Sequence, residues 1–155
     1  IFAVMLGIPR IFEPDYNDGT LDQYRLLPYS SEIIVLAKIF ANWAAFCWPL
    51  IILTPLAGNL FGLSLQESSR IALALTIATP TFVMIAAVGS ALSLGSKTGR
   101  VMLALLVTPL YVPVLIFGVN AVDSLMTNHL TILAGLFLFF VPLSAIACGF
   151  AIKNN

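Results

Sequence analysis

The sequence predicts an all-α, polytopic membrane protein, and three observations carry that prediction. The chain has 155 residues, of which 60% are hydrophobic and only 9% charged, with mean hydropathy +1.03. A water-soluble domain carries about 25% charged residues, so this chain cannot cover a globular surface in water. Its few charges are also clustered. No Asp, Glu, Lys or Arg lies between Lys38 and Glu67, Arg70 and Lys97, Arg100 and Asp123, or Asp123 and Lys153. Each gap exceeds the roughly 20 apolar residues that cross a ~30 Å hydrocarbon core.

Taken in order, residues 1–8 are apolar without a charged n-region or a cleavage site. They read as the end of a membrane helix (1–9) whose beginning is missing, not as a signal peptide. Residues 10–38 form the longest stretch outside the apolar runs. Within it Asp18-Gly19 marks a turn, and Thr20 stands three residues before Gln23, a capping-box spacing that opens a helix. That helix runs from about Leu21 to Leu27, with Leu21, Tyr24 and Leu27 on its apolar side, and Pro28 stops it. Ser30 or Ser31, followed by Glu32, caps the next helix, which continues through Lys38 into the bilayer. Four complete transmembrane helices follow near 39–61, 70–95, 101–121 and 130–152. Together they make a single transmembrane domain over 1–155, with 10–38 as a cytoplasmic segment inside it.

Orientation follows from the loop cations. Arg10, Arg25, Lys38, Lys97, Arg100 and Lys153 fall on one side and only Arg70 on the other. This six-to-one bias places segment 10–38, the 96–100 loop and the C-terminus in the cytoplasm. Every span contains proline: Pro49 and Pro55, Pro80, Pro109 and Pro113, then Pro142. Membrane helices tolerate the resulting kinks where neighbours satisfy the freed carbonyls. Ala87, Ala91 and Gly95 recur at four-residue spacing, which suits close helix packing.

Several function classes are disfavoured. Net charge is zero, with no basic patch for nucleic acid. Cys47 and Cys148 sit in apolar runs, with no C-x-x-C motif or Cys/His cluster, and read as buried free thiols. The spans hold almost no charge at membrane depth, and their polar handles include Asn42, Thr54, Thr76, Thr79 and Thr108; this argues against an ion-coupled carrier. Gly95-Ser96-Lys97-Thr98 departs from the phosphate-loop spacing and follows a membrane span, so it reads as a cytoplasmic turn and not an ATP site. The single histidine, His129, reads as a polar loop residue at the extracytoplasmic end of the last span, although imidazole can ligate haem iron.

Segment 10–38 carries the functional expectation. A helix of about seven residues is unstable alone in water, so it must dock on the membrane surface or on a protein. Glu13, Asp15, Asp18 and Asp22 would be repelled by an anionic cytoplasmic leaflet but would suit a basic groove on a partner. The run Phe12 to Gln23 (FEPDYNDGTLDQ), with a leucine pair, a proline and a span after it, resembles the coupling region of ABC-2-type membrane subunits. Together with Leu36 to Lys38, Phe40 to Trp43 and the run Thr108 to Gly118 (TPLYVPVLIFG), it is most similar to the CcmB family, permeases of bacterial cytochrome c maturation.

The resemblance covers the whole chain, beginning inside the family's second of six spans. It implies a subunit of the bacterial inner membrane that is not itself an enzyme and binds no cofactor alone. It also implies a CcmA-like partner that binds ATP, CcmC- and CcmD-like membrane partners, a CcmE-like haem chaperone, and haem as substrate. Glu13, Asp15, Asp18, Gly19, Thr20, Leu21, Asp22 and Gln23 would then contact the ATPase. Pro109, Tyr111 and Pro113 would mark a pathway or a packed kink. The rival readings are an ABC-2 exporter of another substrate and a scaffold for cytochrome c assembly that transports nothing.

Overall fold

The computed structural model describes residues 11–20, 31–92, 99–121 and 127–154. The predicted half-helix at 1–9 and the predicted helix at 21–27, with Leu21, Asp22 and Gln23, lie outside these residues. Every regular element described is an α-helix: α1 (Glu13–Asn17), α2 (Ser31–Leu60), α3 (Leu65–Leu92), α4 (Gly99–Asn120) and α5 (Thr127–Asn154).

The four long helices occupy the four predicted apolar stretches. All six of the span prolines lie inside them. Three helices, over Glu32–Leu60, Leu65–Leu92 and Asn128–Ala151, are long and apolar enough to cross a membrane. The apolar part of α4 described at side-chain level, Val107–Asn120, is shorter. The architecture therefore fits a membrane protein.

Two terminations show why the chain turns where it does. Helix α2 ends in a Schellman motif: the Leu63 amide donates to the Gly58 carbonyl (2.9 Å) and the Gly62 amide to the Asn59 carbonyl (3.2 Å). Gly62 holds φ +72°, a conformation that costs a residue with a Cβ about 1 kcal/mol or more. Helix α3 then opens at once with a capping box. The Ser64 amide and hydroxyl both donate to Glu67 Oε2 (2.8 Å each), and the Glu67 amide donates back to Ser64 Oγ (3.3 Å). This cap starts α3 five residues ahead of the predicted 70, in a polar first turn that precedes the apolar run opening at Ile71.

Helix α3 is the centre of the bundle. It packs against α2, α4 and α5, and α5 also meets α2 and α4. Between Ala78 and Ala91 every residue of α3 is buried except the half-buried Val88. Alanine, glycine and serine are frequent there, so neighbouring backbones approach closely. The hydroxyls in this apolar surrounding turn back on their own helices. Thr76 donates to the Ala72 carbonyl (2.7 Å), Thr79 to Leu75 (2.7 Å) and Thr81 to Ile77 (3.1 Å). By contrast α2 and α5 expose large apolar side chains, among them Leu56, Leu138 and Phe150. A bundle with a small-residue centre and apolar flanks is the arrangement expected where lipid is the solvent.

Candidate functional site

The acidic segment holds a short helix that the sequence reading does not assign. Helix α1 covers Glu13–Asn17, ahead of the predicted helix. Pro14 falls in its first turn, where a missing amide hydrogen costs nothing, and Glu13 and Asp15 lie near the positive end of the helix dipole. The Asp18 amide closes the last turn on the Pro14 carbonyl (2.9 Å). Gly19, at φ +69°, ends it in the predicted Asp18-Gly19 turn.

The segment is fixed to the head of α2. Ile11 and Phe12 are 5% and 1% exposed and belong to the same buried cluster as Val35 and Ile39. Lys38, one turn along from Val35, donates to the Asp15 carboxylate as an ion pair, and its Nζ lies 5.6 Å from the Phe12 ring centroid. Both charged side chains are mostly covered, which strengthens a charge-assisted hydrogen bond. At the same end, α2 crosses the last turns of α5 closely: a Cβ on Gly149 would stand 3.2 Å from Glu32 Cγ.

Of the predicted coupling residues, Asp15 is thus drawn into an internal pair. Asp18 and Gly19 are exposed, and Thr20 is half-buried. Helix α1 includes Glu13, whose side chain lies outside the described set. Sequence reasoning missed Phe12 and Lys38 as the residues that seat the segment. No local pattern marks the Lys38 pairing, because its partner is 23 residues away.

The Pro109–Pro113 turn of α4 divides its residues between two faces. Pro109 and Pro113 are exposed, while Tyr111 is 2% exposed and points into the bundle. Its ring lies 5.1 Å from that of Phe82, and its hydroxyl donates to the Phe82 carbonyl (3.3 Å). Phe82 belongs to α3, two residues past Pro80, so Tyr111 ties one proline-containing helix to another.

A cavity of about 650 Å³ lies between the later half of α2, the first half of α3 and the end of α4. Leu50, Ala57, Ala78, Phe82, Val114 and Gly118 are among its lining residues. Its two hydroxyls are already engaged: Thr54 donates to the Leu50 carbonyl (2.8 Å), and Thr79 donates to Leu75 while accepting from Trp43 Nε1 (2.9 Å). The cavity is therefore apolar and sits in the half of the bundle that ends at the Gly62–Ser64 turn, away from α1.

Among the described residues no three His, Cys, Asp or Glu side chains come together as a metal site. Cys47 and Cys148 are buried free thiols, as predicted. His129 stacks at 5.8 Å and 34° against Phe117. Outside the apolar runs, the Ser64 amide and hydroxyl, both donating to Glu67 Oε2, hold the Glu67 carboxyl below its ordinary pKa, since these donors favour the charged form.

The sequence matches known proteins over its whole length. The model of the CcmB family, described as CcmB protein, matches residues 1–155. Heme exporter protein B of Pseudomonas aeruginosa is 36% identical over 160 residues, spanning 99% of this chain and 72% of that protein. The protein of the same name from Escherichia coli K12 is 37% identical over 158 residues, with the same two shares covered. Its namesake in Haemophilus influenzae is 34% identical over 158 residues, again covering 99% and 72%.

Proposed function

This chain belongs to the CcmB family, and from that premise we propose that it is the transmembrane subunit of an ABC-type haem-handling complex of cytochrome c maturation. The relatives are named haem exporters, and haem or its loaded chaperone is the cargo of the proposed complex. ATP is hydrolysed on a separate, CcmA-like subunit, with CcmC- and CcmD-like membrane proteins and a CcmE-like chaperone completing the assembly. All four long helices span the bacterial inner membrane, with segment 10–38 and the C-terminus in the cytoplasm.

The observation that carries the coupling part of this reading is the seating of the acidic segment on α2. Phe12 and the Asp15–Lys38 pair fix one side of it to the bundle, and Asp18 and Gly19 stand exposed on the other. A push delivered to such a segment passes directly into α2, and from α2 into the central α3. In this mechanism ATP-driven closure of the partner dimer presses on residues 13–27, and the proline-kinked spans rearrange in response.

The test replaces Gly19-Thr20-Leu21-Asp22 with alanines in the full-length protein. Co-purification of the ATPase should fall at least tenfold while membrane insertion is kept. An unchanged yield of ATPase would remove the coupling assignment and leave the family membership standing.

A further inference from the structure

The cavity between α2, α3 and α4 is a groove with a closed end. Its floor on α3 includes Ile71, Ala74, Ala78 and Phe82, which recur at the spacing of one helical face. Leu53 and Ala57 of α2 and Val119 of α4 line it and are exposed, so the groove opens sideways. From Ile71 to Phe82 it runs about 16 Å at 1.5 Å per residue, close to one leaflet of a ~30 Å hydrocarbon core. At Phe82 it stops. Tyr111 donates to the Phe82 carbonyl there, and the next nine residues of α3 are covered by protein apart from the half-buried Val88.

Inside the groove nothing asks for a polar ligand. The Thr54 and Thr79 hydroxyls are spent on their own helices, and no His, Cys, Met or Tyr lines it to hold a metal. A transmembrane helix fits its length poorly, since such a helix crosses both leaflets and would find α3 already enclosed past Phe82. The rim supplies a polar end. Arg70 stands four residues before Ala74, and Glu67 four before Ile71, so both continue the floor by one turn. Helical side chains lean toward the N-terminus, which for α3 is the extracytoplasmic end in the proposed topology; the inference rests on that reading. Glu67 Oε2 accepts both bonds from Ser64. Among the described residues, neither Glu67 Oε1 nor the Arg70 guanidinium has a hydrogen-bonded or ion-paired partner.

We infer that the groove holds one acyl chain of a zwitterionic, amine-bearing phospholipid of the extracytoplasmic leaflet, with its phosphate at Arg70 and its ammonium at Glu67. A cation and a carboxylate three residues apart on one face match the two charges of that headgroup. A purely anionic headgroup would gain from Arg70 but meet Glu67 unfavourably. The chain's length is one leaflet, as the groove's is. Its tip reaches the Phe82–Tyr111 contact and supplies the dispersion partners that the apolar walls lack.

The experiment reconstitutes the full-length protein in vesicles of equal parts phosphatidylethanolamine and phosphatidylglycerol. A trace of one lipid or the other carries a diazirine at the end of one acyl chain. Photolysis should concentrate phosphatidylethanolamine adducts on the peptide holding Ala78 and Phe82, above the level on the outer faces of α2 and α5. Gly118→Leu should abolish that adduct by filling the groove; a Cβ at Gly118 would stand 3.7 Å from the Ala78 Cβ, an ordinary contact. Arg70→Gln, at the rim and outside the packing, should lower it about threefold. Glu67→Gln should lower it for phosphatidylethanolamine and not for phosphatidylglycerol. Adducts spread evenly over the exposed faces, equal labelling by the two lipids, or a yield unchanged in G118L or R70Q would each overturn the inference. So would a groove that stays unlabelled while the outer faces label, since a protein helix or another ligand then fills it.

The leaflet is tested separately. Arg70→Cys, in a chain with Cys47 and Cys148 changed to alanine, should react with a membrane-impermeant maleimide added from the extracytoplasmic side. Reaction from the cytoplasmic side alone would remove the proposed topology, and the inference with it. Extracytoplasmic reaction combined with unselective lipid labelling would overturn the lipid site alone.

Discussion

Breaking the Asp15–Lys38 pair from one side leaves a mostly covered charge without its partner. Such a deletion costs about 1–3 kcal/mol, so Lys38→Met or Asp15→Asn should loosen segment 11–20 from α2. Limited proteolysis of membranes should then cut the segment faster, and the charge swap D15K/K38D should restore protection. If the single variants resist protease as the parent does, the pair does not hold the segment. A second residue-scale contact joins Gly58 to Ser68, where an added Cβ would press on the Ser68 hydroxyl and stand 3.0 Å from its Cβ. Gly58→Ala should lower detergent-solubilised stability by about 1–3 kcal/mol through overpacking, with S68G recovering much of the loss. Neither contact was legible in the sequence. Asp15 and Lys38 are 23 residues apart, and no periodic pattern links Gly58 with Ser68.

Among the elements, the four long helices were legible because the bilayer demands length and apolarity, and both are one-dimensional properties. Helix α1 was not, because five residues have no period to read; Pro14 behind an acidic residue was the only local sign. The start of α3 is legible in the sequence, since Ser64 and Glu67 have the spacing of a capping box, but charge gaps alone place it at 70. Ser64→Ala should destabilise the start of α3 by about 1 kcal/mol, read as a lower thermal midpoint. The Glu67 carboxyl has a folded-state pKa below its unfolded value. Its contribution is therefore present above the unfolded pKa and lost as pH falls through the folded one. Acidification through and below the ordinary carboxylate range should lower stability in the parent, and E67Q should flatten that part of the profile. An equal acid slope in E67Q would place the effect on other carboxylates.

At the scale of the whole molecule, the proposed orientation depends on six cations against one. Reporter fusions after Asn155 should be active as cytoplasmic reporters, and fusions within 61–64 as periplasmic ones; the reverse pattern would invert the topology. The contact between the proline-containing helices α3 and α4 belongs to this scale too. Tyr111→Phe removes the hydrogen bond to the Phe82 carbonyl and should cost roughly 0.6–1 kcal/mol. Tyr111→Ala empties a buried ring site and should cost about 3–5 kcal/mol. If Tyr111 only packs, Y111F will keep cytochrome c maturation near the parent level in cells. If the phenol has a part in the pathway, Y111F will lose maturation while keeping stability.

The uneven burial of the helices also decides which of them a change of lipid can reach. Over most of its length α3 is enclosed by protein, whereas α2, α4 and α5 carry most of the exposed large apolar side chains. A thinner or thicker bilayer therefore acts on the three flanking helices and hardly on the centre. Mismatch costs only fractions of a kcal/mol per ångström, but here it is applied to one side of each contact with α3. Tilting α2 to suit a thin membrane would carry the seated acidic segment with it, since Phe12 and Lys38 ride on the same helix head. The lipid composition around this chain would thus set the resting angle of the segment.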